Sequence, residues 1–459
     1  MNINNNNIIS QVANNLYNQT SSSELIDSKL LEPFYYFLSN IQTPTPKDQS
    51  KSYYTKSFNN SYIRKDFPIL NQRINGRPLV WLDSSATTQK PSCVIDSINK
   101  YYREINSNVH RGAHTLAGYA TDAYEGSRKK VQEFIGASSS EEIIFVRGAT
   151  EAINLVAQTY GNANLKAGDE ILLTMMEHHS NIVPWQILKH TNKIVIKPIP
   201  INDAGEIIIE EYEKLFTPRT KLVALTHVSN VLGTINPVGT MTKIAHNHGA
   251  CVLIDGAQSV PHLSVDVEKI DADFYVFSGH KIYGPTGIGV LYGKKALLQN
   301  MPPWQRGGGM IKSVSFDKST YNNIPNKFEA GTGNIAGAVG LGKAIDYVNQ
   351  IGMNHIENHE KELTNYAINN LSKIPGIHLI GTSKNKTSVI SFVLDGITPE
   401  NVAKYLNKEG IAVRAGHHCS QPTLQRFGLT STVRASLGIY NTKEDIDCLV
   451  NALRRISRS

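Results

Sequence analysis

The residues of this chain that could do chemistry stand directly after short apolar segments. Lys281 closes the sequence Ser-Gly-His-Lys behind the apolar stretch 274–277, and Asp255 follows the stretch 252–254. A lysine amine can attach an aldehyde covalently, and an aspartate can keep a ring nitrogen protonated so that the ring withdraws electrons. The two residues could therefore hold an aldehyde cofactor together.

A turn suited to a phosphate group lies earlier in the chain. The apolar stretch 142–146 runs into Gly148-Ala-Thr150-Glu151, which opens a predicted helix, and the free N–H groups of a helix N-terminus favour an anion. Lysine, acid, hydroxyl and N–H groups are together what pyridoxal 5'-phosphate (PLP) requires. Taken singly, the aspartate could be a helix cap, the lysine a surface residue and the turn an ordinary helix start. Their joint occurrence favours PLP.

Cys419 is the cysteine whose neighbours could activate a thiol. It follows Gly416-His-His418 and lies between Arg414 and Arg434 in the sequence, and positive groups favour the nucleophilic thiolate. The other three cysteines are predicted to be structural, on a strand or on helices: Cys93, Cys251 and Cys448.

A zinc site is the rival interpretation of Cys419. His417 or His418, with the pair His246 and His248, would have to complete it. A single thiolate with irregular spacing to the histidines is a weak zinc pattern. We therefore expect no metal.

The elements that must position these residues alternate between strand and helix. Apolar runs of strand length are followed by helical stretches, for example 151–160 and 237–248. The runs are 142–146, 170–174, 222–226, 252–254 and 274–277. Such alternation predicts an α/β fold with a mainly parallel sheet covered on both faces, and ligands bind such sheets at the carboxyl ends of the strands.

Composition bounds the remaining possibilities. The net charge of +7 is spread along the 459 residues rather than clustered, so we expect no nucleic-acid partner. No apolar run approaches the length of a membrane span, and we expect no membrane association. Four cysteines without a C-x-x-C pair indicate a reducing compartment, which we take to be the cytoplasm. Residues 1–62 are rich in asparagine, and we expect a mobile extension there; organelle targeting by it stays open.

Nine motifs occur in order along residues 63–456. They are Trp81-Leu-Asp-Ser-Ser-Ala-Thr87, Asn108-Val-His-Arg-Gly-Ala-His114, Gly148-Ala-Thr-Glu-Ala-Ile-Asn154, Met176-Glu-His-His-Ser-Asn-Ile-Val-Pro-Trp185, Thr226-His-Val-Ser-Asn-Val-Leu-Gly233, Asp255-Gly-Ala-Gln258, Ser278-Gly-His-Lys281, Phe328-Glu-Ala-Gly-Thr332 and Arg414-Ala-Gly-His-His-Cys419. With these motifs the chain resembles an aminotransferase class V enzyme of PLP fold-type I, specifically a Suf-type (group II) cysteine desulfurase.

The resemblance implies a fold and a division into domains. The large PLP-binding domain would span 81–334 and contain a mainly parallel, seven-stranded sheet. A smaller α+β domain would combine 63–80 with 335–459. The enzyme would be a homodimer.

The resemblance also implies roles for individual residues. Lys281 would hold the cofactor, Asp255 would pair with its ring nitrogen, Gln258 would donate to its phenolic oxygen, and the catalytic His178 would stack on its ring. The other implied positions are phosphate ligands (Thr150, Ser278, His280 and, from the other subunit, Thr332), substrate carboxylate ligands (Asn230, Arg434) and further active-site residues (His110, Arg414).

The implied activity is the conversion of L-cysteine to L-alanine. Cys419 would take the sulfur as a persulfide and pass it to an acceptor protein of the Suf system for iron–sulfur cluster assembly. The alternatives are a selenocysteine lyase, which needs little from Cys419, and a PLP-binding scaffold without catalysis; a zinc hydrolase is a remote third.

Overall fold

Seven strands form the large sheet of the computed structural model, which describes residues 60–457. In chain order they are β1 Ile143–Val146, β2 Glu170–Thr174, β3 Val195–Ile199, β4 Thr220–Thr226, β5 Cys251–Asp255, β6 Phe274–Ser278 and β7 Gly289–Gly293. Their order in the sheet is β1-β7-β6-β5-β4-β2-β3. Only β7 runs antiparallel to its neighbours, so the predicted α/β fold with a mainly parallel, seven-stranded sheet is confirmed.

Both faces of the sheet are buried along its strands other than the edge strand β3. In β4, Leu222 and Ala224 point into one apolar cluster, whereas Val223 and Leu225 point into the other. All four side chains are fully buried. Continuous apolar strands of this kind are expected for a sheet covered by helices on both sides.

The helices begin and end at residues that satisfy their free backbone groups. The His114 side chain accepts the N–H of Ala117 at the start of one long helix, and Gly136 ends that helix with a φ of +69°, as is common for glycine at this position. The helices are Asn60–Lys65, Ser92–Lys100, Thr115–Ile135, Ala149–Val156, Asn162–Asn164, Val183–Thr191, Ile209–Lys214, Val238–Asn247, Val267–Ile270, Lys295–Asn300, Ile335–Ile351, Met353–Leu371, Pro399–Lys408, Gln421–Arg426 and Lys443–Ile456. Within residues 60–457, none combines the length and apolar character of a bilayer span.

A second sheet follows the large one in the chain. Its four strands pair antiparallel in the order Ile377–Ile380, Val389–Leu394, Thr432–Ser436 and Arg414–Gly416. Short pairs of strands complete the fold: Arg73–Ile74 with Arg77–Pro78, Val80–Trp81 with Ile411–Ala412, and Ile311–Val314 with Ser319–Tyr321. The domain limits at residues 81 and 335 stay a prediction, and the expected extension over 1–62 lies almost wholly outside the described residues.

A buried arginine ties the helix Thr115–Ile135 to the turn before Ile335–Ile351. Arg128 is 1% exposed, and its guanidinium donates to both oxygens of Glu329 at 2.6 and 3.0 Å. It also donates to Glu125 at 2.8 Å and lies over the ring of Phe145. A buried ion pair of this kind is costly to break on one side, because the other charge stays buried without a partner.

We predict that Arg128→Ala lowers the free energy of unfolding by about 3–5 kcal/mol, since Glu329 loses its counter-charge. Urea unfolding at a fixed protein concentration measures the change. Lys129→Ala is the matched control, because Lys129 is exposed and its ion pair with the exposed Glu133 is long, at 3.9 Å. This variant should change the free energy of unfolding by no more than about 0.5 kcal/mol. Equal losses for both variants would contradict the prediction.

Candidate active site

Polar side chains from five strand ends line one cavity of about 310 Å³. This edge of the sheet is where the carboxyl ends of β1, β2, β4, β5 and β6 lie. Ligands of open parallel sheets bind at such an edge. Of the residues predicted for the site, those that line the cavity are Thr150, His178, Asn230, Asp255, Gln258, Ser278, His280, Lys281, Arg414, Cys419 and Arg434. Thr332 and His110 do not line it.

Lys281 and Asp255 lie within electrostatic reach of each other. Burial lowers the pKa of Lys281 to about 8, and Asp255 partly opposes this change by favouring the ammonium form. Burial raises the pKa of Asp255 from its usual range, which Lys281 and a hydrogen bond from the N–H of Ala257 partly oppose. A neutral amine is therefore accessible near pH 8, as attack on an aldehyde requires.

The end of the cavity at β1 offers hydroxyls and the start of a helix. The Ser278 hydroxyl accepts the N–H of Ala149 at 2.9 Å, the first residue of the helix Ala149–Val156. A Cβ on Gly148 would lie 3.1 Å from that hydroxyl, so glycine suits this close approach. Thr150 stands in the same first turn, and the arrangement is able to bind a phosphate.

His178 sits on a turn that a buried carboxyl group fixes. Burial lowers the pKa of His178 to about 3, with Lys281 as the next cause, so the ring is neutral. The preceding residue, Glu177, is fully buried and accepts bonds from Asn181 and from the N–H of Thr226 at 2.7 and 2.8 Å. Glu177 thus ties the ends of β2 and β4 together beneath His178. The sequence analysis missed Glu177, although it stands inside one of the motifs.

Asp83 is a second residue that the sequence analysis missed. Its carboxylate accepts bonds from Arg414 at 2.8 Å and from Arg434 at 3.3 Å, and so joins the two predicted arginines. Burial lowers the pKa of Arg434 to about 10, which Asp83 partly opposes. Arg434 also donates to the carbonyl of Asn230 at 2.9 Å.

Cys419 lies on a short loop that the large sheet holds in place. The Asn230 amide donates to the His418 carbonyl at 2.8 Å, and the N–H of His179 donates to the Cys419 carbonyl at 2.7 Å. His418 and Cys419 have backbone φ values of +52° and +55°, which residues other than glycine rarely adopt. The Cys419 side chain is exposed and lies within electrostatic reach of Lys281, Arg414 and Arg434.

Four residues that line the cavity have buried polar atoms without a hydrogen-bond partner in the protein. They are Ser85 Oγ, Gln258 Oε1, His418 Nδ1 and Arg434 Nε. Unpaired buried polar groups are costly, and a bound polar ligand would satisfy them. Lys281, Asp255 and the turn at Thr150 supply the groups that PLP requires, so the residues present fit this cofactor.

Thr332 and His110 lie together, away from the cavity. The Asn108 amide donates to the Thr332 hydroxyl at 3.4 Å, and His110 bonds to Glu125 at 2.8 Å. Thr332 lines a separate cavity of about 340 Å³ with Glu329. Within one chain these two residues therefore do not belong to the site of Lys281.

The other cysteines and the rival zinc histidines are engaged elsewhere. Burial raises the pKa of Cys93, Cys251 and Cys448. His246 bonds to two aspartates, and His248 stacks on Phe216. The pair His246 and His248 does not meet Cys419 in a metal-binding group within the described residues.

The chain is similar in sequence and in structure to known proteins. The sequence profile of the family described as aminotransferase class-V matches residues 80–449. A cysteine desulfurase of Synechococcus elongatus is 57% identical over 394 residues, or 86% of this chain, which spans 63% of that protein's length. A cysteine desulfurase of Escherichia coli is 50% identical over 403 residues, covering 88% of this chain and 99% of that one. The crystal structure of cysteine desulfurase CsdA from Escherichia coli, in an S-sulfonic acid form, superimposes with a TM-score of 0.81 at 40% identity, covering 87% of this chain and 98% of that one.

We predict that, without cofactor, Lys281 reacts with an acylating reagent with a pH midpoint near 8, because burial lowers its pKa to about 8. Peptide mass spectrometry at a series of pH values measures it. Lys269 is an internal control with a higher midpoint, because Asp266 raises its pKa. In Asp255→Asn the Lys281 midpoint should fall further, since the anion that favours the ammonium is gone. A rise in that variant would refute the assigned contact.

Proposed function

Because the chain belongs to the aminotransferase class V family, we propose that it is a PLP-dependent cysteine desulfurase that converts L-cysteine to L-alanine. The observation that carries this proposal is the meeting of Lys281, Asp255 and the Cys419 thiol at one cavity. An enzyme that only moved amino groups would need the amine and the acid, but no thiol beside them. The identity to cysteine desulfurases supports the same reaction.

Residues of this chain would hold PLP at both of its ends. Lys281 would attach its aldehyde and Asp255 would pair with its ring nitrogen, while Thr150, Ser278 and His280 would bind its phosphate. Gln258 would donate to the phenolic oxygen, and the neutral His178 would stack on the ring. When bound, PLP supplies an electron sink that stabilises negative charge on the substrate.

The substrate would be bound by its carboxylate and deprotonated at Cα. Arg434 has an unpaired Nε, and its fork suits a carboxylate; Asn230 lies beside it. Since the pKa of Lys281 is lowered to about 8, its free amine can take the Cα proton at Nζ. Arg414, held by Asp83, would keep positive charge near the thiolate.

Cys419 would then take the sulfur. Its thiolate attacks the substrate Sγ, the new S–S bond forms, and the Cβ–Sγ bond breaks with its electron pair left on Cβ. A proton adds to that carbon to give alanine, and Cys419 carries the persulfide. No external oxidant or reductant is needed, because the sulfur gained by Cys419 is the sulfur lost by cysteine.

The position of Cys419 supports the Suf-type (group II) subgroup. The loop is short, since the helix Gln421–Arg426 follows two residues later, and hydrogen bonds from Asn230 and His179 hold it. A nucleophile on a short, pinned loop cannot travel far, so we propose that a dedicated Suf-system acceptor protein comes to it and delivers the sulfur to iron–sulfur cluster assembly. Four free cysteines fit a reducing compartment such as the cytoplasm.

A homodimer would explain the position of Thr332 and His110. Both lie apart from the cavity of their own chain, although the family pattern assigns them to the active site. In a symmetric dimer each subunit presents the same patch to its partner. We propose that Thr332 completes the phosphate site of the partner and that His110 lies beside it.

We predict that Cys419→Ser keeps the cofactor, which borohydride then fixes on the Lys281 peptide, yet loses more than about 99% of alanine formation from cysteine, since a hydroxyl is a far poorer nucleophile than a thiolate. In the unmodified protein, mass spectrometry after brief exposure to cysteine should find one added sulfur on the Cys419 peptide. Cys448→Ser is the control, because Cys448 is also exposed, and it should keep full activity. Cys419→Ser should retain much of any activity on selenocysteine, so the lyase alternative would instead be favoured by an unmodified protein that acts on selenocysteine and not on cysteine. Desulfuration by Cys419→Ser at the parent rate would refute the nucleophile.

We predict that mixing a Lys281→Ala chain with a Thr332→Ala chain gives activity above the average of the two separate variants. In the mixed dimer one site has its own Lys281 and the Thr332 of the other chain, so random mixing should restore about a quarter of the sites. Activity after mixing and re-association measures this. Activity no greater than the average of the two parents would show that Thr332 acts in its own chain.

A further inference from the structure

Three side chains with metal-binding atoms meet beside the cavity. One nitrogen of His179, one nitrogen of His417 and Sγ of Cys419 lie within 4.8 Å of one another. No second group of three such residues is found in residues 60–457. His417 and Cys419 are exposed and His179 is half-buried, so a cation can reach the group from solvent.

Backbone contacts hold these three residues together from two distant parts of the chain. The N–H of His179 donates to the Cys419 carbonyl at 2.7 Å, and the N–H of Gln421 donates to His179 Nε2 at 3.1 Å. The N–H of Cys419 donates to His417 Nδ1 at 3.0 Å. The two imidazole rings lie 5.5 Å apart, with an angle of 32° between their planes.

Two imidazoles and one thiolate are a ligand set that zinc favours. Zinc binds thiolate at about 2.3 Å and imidazole at about 2.0–2.1 Å in a tetrahedron, which puts ligand atoms about 3.5 Å apart. Small rotations of the exposed His417 and Cys419 side chains would close the remaining distance. A neutral imidazole has one lone pair, so coordination replaces two loop hydrogen bonds, from Gln421 N–H to His179 and from Cys419 N–H to His417.

We propose that His179, His417 and Cys419 bind one zinc-class divalent cation, with the fourth coordination position open. The cation replaces the proton of the Cys419 thiol, which is released to solvent. Zinc then occupies the sulfur lone pair that would attack the substrate, so the bound cation is a reversible inhibitor. The inhibition rests on the proposed function; the binding does not.

The binding test uses the reduced, cofactor-loaded protein with one equivalent of Zn²⁺ and no free cysteine. Metal analysis after dialysis should find one zinc per chain. Iodoacetamide should alkylate Cys419 at least about tenfold more slowly with zinc than without, whereas alkylation of the exposed Cys448 should not change. Peptide mass spectrometry follows both cysteines in the same sample.

Three variants separate a built site from binding by a thiol alone. His179→Gln and His417→Gln should each weaken zinc binding by about tenfold or more, and Cys419→Ser should abolish it. His378→Gln is the matched control, because His378 is exposed and its ring bonds to Asp395 far along the chain from Cys419, and it should bind zinc as the parent does. Absence of zinc after dialysis, or zinc protection of Cys419 unchanged in both His→Gln variants, would overturn the site.

Activity separates the two proposals. Stoichiometric zinc should slow alanine formation, and excess EDTA should restore it. Zinc bound as described in a protein that releases no alanine from cysteine would refute the proposed function and leave the metal site standing. Full desulfurase activity with zinc bound would refute the inhibition.

Discussion

Desolvation of charged groups at the carboxyl edge of the large sheet is the constraint on which the site depends. Burial is the largest cause of the altered pKa values of Lys281, Asp255 and Arg434. Each charge survives there because an opposite charge lies nearby: Asp255 for Lys281, and Asp83 for Arg434. The balance leaves the pKa of Lys281 at about 8 and keeps Arg434 positively charged at neutral pH, as the roles proposed for the two residues require. A fully solvated edge would give an ordinary, protonated lysine.

Unlike the buried charged groups of the cavity, the thiol of Cys419 has to be accessible from solvent for the proposed sulfur transfer. Two consecutive residues with positive φ, His418 and Cys419, cost about 1–3 kcal/mol each, and such strain persists only where surrounding contacts fix the backbone. Asn230 and His179 provide those contacts through the carbonyls of both residues. The strained turn projects the thiol toward the cavity and still leaves it exposed. The Cys419 thiol therefore lies between the buried amine of Lys281 and the solvent.

The sequence predicted much of this arrangement because strand ends and motifs are local. Polar residues directly after apolar runs identified Lys281, Asp255 and the turn at Thr150 without a known relative, whereas the family resemblance supplied His178, Asn230, Gln258 and Arg434. Strands β3 and β7 were not recognised from the sequence. Lys197 and Pro198 interrupt the apolar residues of β3, and β7 has three apolar residues between Gly289 and Gly293.

The residues that the sequence analysis missed act through other residues. Asp83 bridges two arginines more than 300 positions away, and Glu177 connects two strand ends that are neighbours only in the folded sheet. Neither the spacing of these residues nor the composition of the chain predicts these contacts. Both residues stood within recognised motifs, and Glu177 directly precedes His178, which was already assigned to the site, whereas Asp83 has no assigned neighbour in the sequence. A buried acid next to a functional residue is the pattern that sequence reasoning should have followed.

The exposed Cys419 thiol takes part in both the proposed sulfur transfer and the proposed zinc site. Sulfur can leave Cys419 for another protein only if that side chain faces solvent, and a side chain that faces solvent is also open to cations. His179 fixes the loop through its backbone N–H, and that same contact brings its imidazole to the thiol. The feature that positions the nucleophile thus also assembles a ligand set around it. An enzyme with the proposed function would gain an accessible sulfur and with it a sensitivity to thiophilic metals, and the concentration of free zinc would decide whether sulfur transfer or inhibition prevails.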